Sequence, residues 1–162
     1  MIHPTAIIHP NVIIGENVWI GPYAVIGTPA EIRGEWVDEG DVVIGAGTVI
    51  RENVTIQGKV RIGIDCYIMD QSHIPHDCRI GDRVTISPGV LLGGHVVVGR
   101  DATVGMGAMV HQRLTIGVGA MVGMGAVVTK NVGPFEKWYG NPAVMHGMND
   151  AKLHLADPEC FD

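Results

Sequence analysis

Every sixth residue of the chain is a branched aliphatic. The series runs Ile44, Ile50, Ile56, Ile62, Ile68, Ile74, Ile80, Ile86, Leu92, Val98, Val104, Val110, Ile116, Val122 and Val128. Ile2, Ile8, Ile14, Ile20 and Ile26 keep the same phase. Two positions earlier stands a smaller or aliphatic residue, as in Val54, Val60, Cys66, Ser72, Cys78, Val84, Val90, Val96, Ala102 and Ala108. Apolar residues at alternate places predict a short strand with two side chains facing inward. Gly, Asp and Asn crowd the positions between, which predicts corners where left-handed backbone is cheap for glycine. A six-residue period rich in β-branched residues does not make the 3.6-residue stripe of a helix.

A fixed internal period means a solenoid. Three strand-and-corner units close a triangular coil of eighteen residues, so residues eighteen apart stack. The predicted fold is all-β, a left-handed parallel β-helix built of hexapeptide repeats. It is an exception to the right-handed rule for parallel crossovers. Each buried Ile or Val contributes roughly 1.5–3 kcal/mol, and a ladder of such positions offsets the entropy of ordering the coils. The 162 residues make one domain. The β-helix is predicted over 1–133. Residues 28–41, with Pro29, Arg33, Trp36 and five acidic residues, break the pattern. Because the phase returns at Ile44, this segment reads as an extruded loop replacing most of one coil, either a functional loop or a solvated edge cover. From Pro134 the phase is lost, which predicts a short irregular or helical cap and tail over 134–162, with a helix over Asp150–Ala156. The flat faces of such a prism predict a homotrimer with threefold symmetry.

The net charge is −6 and no basic stripe stands out, which excludes a nucleic-acid partner. Met1–Gly15 lacks the basic and apolar regions of a signal peptide. No apolar run approaches the length of a transmembrane segment. Three cysteines without a CxxC pair, two of them (Cys66 and Cys78) at inward positions, fit reduced thiols in a cytoplasm.

The chemistry lies in the middle coils. His73 and His76 stand in MDQSHIPHDC, His95 follows Gly94, and His111 lies eighteen residues after Gly93. The period therefore stacks His76 beneath Gly94-His95 and sets His111 one coil above. A histidine suits general-base work near neutral pH. Asp77 can orient its ring, and Gly94 can offer a backbone N–H to a developing oxyanion. Base, orienter and donor together describe acyl transfer to a hydroxyl or an amine. The competing reading is a scattered polar surface.

The segments MIHPTAIIHPNVIIGENVWIGPYAVIG, SHIPHDCRIG, LLGGHVVVG, GAMVHQ and GNPAVMHGMN, in this order and spacing, resemble the UDP-N-acetylglucosamine O-acyltransferase family, which uses acyl carrier protein in lipid A synthesis. The resemblance covers the chain to about Asn149. It implies that His76 is the general base, His73 a substrate contact, and Gly94 the oxyanion donor with His95 beside it. His111 and Gln112 would line the acyl and sugar site. Glu31, Ile32 and Arg33 look like the acid–apolar–base triplet of the family's extruded loop, which touches the sugar nucleotide. Asn149 matches a uracil contact. Met124 takes the place of a glycine that leaves the acyl groove open, and Met106 stands eighteen residues earlier, so the two are expected to act as a ruler favouring short acyl chains.

The chain also departs from the family. Gln57 stands where the family has a histidine, and Ala151, Leu155 and Ala156 replace a glutamate and an arginine pair. Loss of the arginines removes bidentate phosphate clamps. An acyl-CoA donor thus stands beside acyl-ACP, with no further cofactor and no metal expected. Three alternatives remain: an N-acyltransferase on an amino-sugar nucleotide, a zinc enzyme like the γ-carbonic anhydrases (whose H-x4-H spacing differs from the H-x2-H here), and a non-catalytic scaffold.

Overall fold

The structure is a computed structural model that describes residues 1–32, 34–37 and 40–156. The hexads wind into a three-sided, left-handed parallel β-helix. The first face stacks seven strands from Ile7–Ile8 through Thr55–Gln57, His73–Ile74, Leu91–Leu92 and Met109–Val110 to Val127–Val128. The second face stacks six, from Val12–Ile14 through Arg61–Ile62, Arg79–Ile80 and Val97–Val98 to Thr115–Ile116. The third runs from Trp19–Ile20 to Met121–Val122 and then takes up two more strands from the cap.

Register follows the period. Ile56 lies opposite Ile74, Ile68 opposite Ile86, and Val98 opposite Ile116. All the hexad aliphatics from Ile44 to Val128 are buried, and so are the residues two positions before them, except the partly buried Leu114. The first coil is the exception. Ile2 makes only an isolated bridge to Ile20 and is half exposed.

The extruded segment does not replace most of a coil, as the returning phase suggests, but is an addition to one coil at the edge between the first and second faces. Across it, Val25 pairs with Thr55 and Val12 with Val42, thirty residues apart instead of eighteen. The extra length rises as an antiparallel hairpin, Ala30–Ile32 against Glu35–Val37.

Two further expectations are corrected. Left-handed backbone at the corners is not confined to glycine: Asn53, Lys59, Asp65, Gln71, Asp77, Arg83, His95, Asp101 and Arg113 all adopt it. A bond to the coil below stabilises each of the catalytic-edge examples, as when the His95 N–H donates to the His76 carbonyl at 3.1 Å. The second correction concerns the cap, which is mainly an antiparallel hairpin, Glu136–Gly140 with Ala143–Met148, whose first strand extends the third face beside Met121–Val122. Among the described residues helix is confined to one 3-10 turn at Leu153–Leu155. The buried Phe135 ring lies where a Cβ on Gly119 would stand, and so closes the end of the core. Among the described residues no helix is long and apolar enough to cross a membrane.

Candidate active site

The edge between the first and second faces carries the predicted chemistry. Successive coils place Gly58-Lys59, His76-Asp77, Gly94-His95 and Gln112-Arg113 at the same corner. The ladder bonds Lys59 N–H to Gly40 O, Asp77 N–H to Gly58 O, His95 N–H to His76 O and Arg113 N–H to Gly94 O hold this column in register. Left-handed backbone at Lys59, Asp77, His95 and Arg113, with φ of 60 to 62°, projects four charged or ionisable side chains from one edge.

His76 is the centre of the column. Its Nδ1 lies 2.9 Å from Asp77 Oδ2. His95 Nε2 lies 3.8 Å from the same oxygen, and the two imidazoles meet edge to face with centroids 5.1 Å apart. Partial burial pushes the Asp77 carboxyl up, but the hydrogen bond to His76 and the charges of His95, His76 and Lys59 outweigh it. The net result holds the carboxyl below its ordinary range. Asp77 therefore stays ionised and fixes the His76 tautomer that leaves Nε2 as the acceptor.

Gly94 is required by contact. A Cβ there would stand 2.8 Å from both Cε1 and Nε2 of His76, closer than real Cβ atoms come. The ring therefore rests on the bare backbone of Gly94. The His76 N–H is satisfied by Gln57 Oε1 at 3.2 Å. The Gly94 N–H has no protein acceptor among the described residues. Gln57, where the resemblance has a histidine, thus serves the backbone of the catalytic corner. Its role was not legible, because a glutamine at a corner carries no motif.

The remaining candidates spread over four places. His73 is half-buried on the first face with Nδ1 2.6 Å from Thr55 Oγ1, and burial pushes its imidazole pKa down. His111 and Gln112 are exposed and join Leu91, Met109 and Val127 around a groove of about 400 Å³ on the first face, beside the catalytic corner. Met106 and Met124 occupy the same corner of successive coils, where the Gly125 N–H donates to the Met106 carbonyl at 2.8 Å, and are exposed, but on the other edge of the first face, and they do not line that groove. Asn149 is buried at a fourth place: its Nδ2 donates to the Gly119 carbonyl at 2.8 Å, pinning the cap to the last coil. Arg33 lies outside the described residues, and Glu31 is placed only by its backbone, opposite Trp36 in the hairpin.

His76, Asp77 and His95 each offer a donor atom within 4.8 Å of the others, a set that could hold a divalent cation. Cys66 and Cys78 take no part. Both are buried, burial pushes the Cys78 thiol up to about 12, and each S–H points at a carbonyl, Gly81 and Gly93 respectively.

Comparison with known proteins agrees with this architecture. The family described as bacterial transferase hexapeptide (six repeats) matches residues 59–94, the stretch that holds His73, His76, Asp77 and Gly94. The fold is similar to a UDP-N-acetylglucosamine acyltransferase from Bacteroides fragilis, at 26% identity and a TM-score of 0.90, over 99% of this chain and 66% of that one. The enzyme of the same description from Campylobacter jejuni matches at 25% identity and a TM-score of 0.77, over 98% of this chain and 79% of that one. A perosamine N-acetyltransferase from Caulobacter crescentus, in complex with CoA and GDP-perosamine, matches at 28% identity and a TM-score of 0.59, over 90% and 55% of the two chains. No curated protein matches in sequence.

Proposed function

We propose that this chain, a hexapeptide-repeat acyltransferase, moves an acyl group from a phosphopantetheine thioester, on acyl carrier protein or CoA, to a hydroxyl of a sugar nucleotide like UDP-N-acetylglucosamine. One observation carries the reading. The His76 ring is fixed by Asp77 on one nitrogen and lies with the other against the glycine whose N–H is unused. Proton acceptor and oxyanion donor thus share one small space, as acyl transfer requires.

The steps follow from these atoms. His76 Nε2 takes the proton of the acceptor hydroxyl as its oxygen bonds to the thioester carbonyl carbon. The carbonyl oxygen becomes an oxyanion and accepts the Gly94 N–H. The C–S bond then breaks as the C=O bond re-forms, and the departing thiolate takes the proton from the His76 imidazolium. Asp77 remains a carboxylate throughout and stabilises the imidazolium. The acyl chain lies in the groove of Leu91, Met109 and Val127. His73, held neutral by burial, and His95, His111 and Gln112 bind the substrates, while Glu31 and Arg33 of the extruded hairpin meet the sugar nucleotide. No cofactor or metal is needed for these steps. A homotrimer would set the far edge of a neighbouring first face, with Met106 and Met124, against this groove.

The likeness to the perosamine N-acetyltransferase supports a second reading, transfer to the amine of an amino-sugar nucleotide by the same residues. One experiment decides. The protein is incubated with acyl-ACP or acyl-CoA and with UDP-N-acetylglucosamine or an amino-sugar nucleotide, and the product is analysed by mass spectrometry before and after mild alkali. An alkali-labile ester supports O-transfer and a stable amide supports N-transfer. No acylated nucleotide from either acceptor overturns the proposal.

A further inference from the structure

Three ligand atoms converge at the catalytic corner. Asp77 Oδ2 lies 2.9 Å from His76 Nδ1 and 3.8 Å from His95 Nε2, and one donor atom of each residue falls within 4.8 Å of the others. In a tetrahedral zinc site with metal–ligand bonds of about 2.0–2.2 Å, neighbouring ligand atoms stand about 3.3 Å apart. The two distances from Asp77 bracket that value. The His95 contact, at 3.8 Å, is too long for a hydrogen bond, and the ring makes no other among the described residues. It meets His76 edge to face. All three side chains are partly exposed, so an ion can enter and keep water as a fourth ligand. The corners hold the set together. Asp77 and His95 have φ of 60° and 61°, and the His95 N–H donates to the His76 carbonyl, so both histidines stand in reach of one carboxylate oxygen. Two imidazoles and a carboxylate suit zinc and its neighbours in the first transition row, whereas magnesium takes oxygen ligands.

We propose that His76, Asp77 and His95 form a site for zinc or a similar divalent transition ion, and that the bound ion switches off the proton acceptor. The site stands on the geometry alone, and its consequence rests on the acyl-transfer reading. Nδ1 is the His76 ligand, because it faces Asp77 while Nε2 lies against Gly94. Without the ion, the Nδ1–H donates to Asp77 and Nε2 carries the free lone pair. An ion on Nδ1 takes the lone pair there, so the single proton of the neutral ring moves through solvent to Nε2. The ring stays neutral and its proton count is unchanged. Nε2 is now a donor and cannot accept the proton of a substrate hydroxyl. Asp77, bound to the ion, no longer faces the ring as a free carboxylate. The ion is therefore an inhibitor of the corner and not its cofactor.

The test begins with protein freed of metal by a chelator and dialysed. Calorimetric titration with zinc chloride should give one ion per chain in the wild type. His76→Ala, Asp77→Asn and His95→Gln should each weaken it by about tenfold or more, since loss of even an outer-shell partner costs about 10–100-fold. His111→Gln, one coil above the set, should bind zinc as the wild type does, and magnesium chloride should not bind. With nitrogen-labelled histidine, long-range nitrogen–proton spectra should show the His76 proton move from Nδ1 to Nε2 as zinc is added, its signals being those absent from His76→Ala. Acyl transfer by the wild type should fall by about tenfold or more at saturating zinc and return with chelator. No zinc binding, or equal binding by the wild type and all three variants, overturns the site. A His76 proton that stays on Nδ1, or undiminished transfer with one ion per chain, overturns the switch. A metal-free wild type that transfers no acyl group refutes the reaction and the inhibitory role with it, and the titrations and spectra still decide the site and the tautomer.

Discussion

His76 Nδ1 and Asp77 Oδ2 are 2.9 Å apart although the two residues are neighbours in sequence. The left-handed turn at Asp77, with φ of 60°, folds its carboxylate back onto the ring it follows. The pair needs no tertiary contact to form, only the corner. Asp77→Asn keeps the shape but can stabilise the other tautomer and loses the charge opposite the imidazolium. Its kcat should fall by about 10²–10⁴ while the unfolding midpoint stays near that of the wild type. Steady-state kinetics with parallel thermal unfolding checks both.

Gly94→Ala tests the contact above. The added methyl would stand 2.8 Å from the His76 ring, whose side chain can swing aside at small cost to the fold. Activity should drop by about 10² or more with stability reduced by no more than about 1 kcal/mol. In His76→Ala/Gly94→Ala the methyl has room, so the double variant should regain the stability but none of the rate. A double variant less stable than Gly94→Ala alone would show that the methyl meets backbone rather than the ring.

How much of this was legible depends on whether a feature follows the period. Ile44 to Val128 could be assigned to the core one by one, because burial on all three faces repeats every six residues and no other arrangement satisfies them together. His76, Gly94 and His95 could be brought together for the same reason: eighteen residues is one coil. Features that leave the lattice were harder. The cap reads as irregular because Glu136–Gly140 and Ala143–Met148 pair antiparallel, and local bonds secure the entry to the first of these strands. Glu136 Oε2 accepts both the Gly133 N–H and the Trp138 Nε1–H at 2.7 Å, which no repeat foreshadows. Asn149 sits in a familiar motif, yet here its amide turns inward to Gly119. Met106 and Met124 share one edge because they are eighteen residues apart, but they do not line the groove of the same chain.

Asn149→Ala separates the inward role from a nucleotide contact. Leaving the Gly119 carbonyl unpaired and loosening the cap should cost about 1–3 kcal/mol of stability. Affinity for UDP-N-acetylglucosamine should change by less than about twofold. A large loss of affinity at unchanged stability would restore Asn149 to the substrate site.

His73 gives a pH dependence. Burial lowers its pKa below the ordinary 6.5, so the unfolded chain binds its proton more readily than the native one. The stability this provides is full above pH 6.5 and is lost as the pH falls toward the lowered native value. Urea unfolding from pH 7.5 to 4.5 should show that decline, and His73→Gln should flatten it. An unchanged slope in the variant would assign the decline to other groups.

Met124 bears on donor length. If a neighbouring copy brings this exposed side chain to the groove, it closes the far end to long chains. Each excluded methylene forgoes about 0.8 kcal/mol of burial. A donor series from acetyl to tetradecanoyl should favour short chains in the wild type and shift to longer ones in Met124→Gly. A wild type that already prefers the longest donor, or a variant that does not shift, removes the ruler.

Single-turnover transfer from acyl-CoA or acyl-ACP, compared for the wild type and His76→Ala at saturating substrates, tests directly whether His76 accepts the proton of the acceptor. With His76 as the base, the rate of the acyl-transfer step should fall by about 10²–10⁴, with substrate affinities and assembly unchanged. Near-normal transfer in the alanine variant would contradict it.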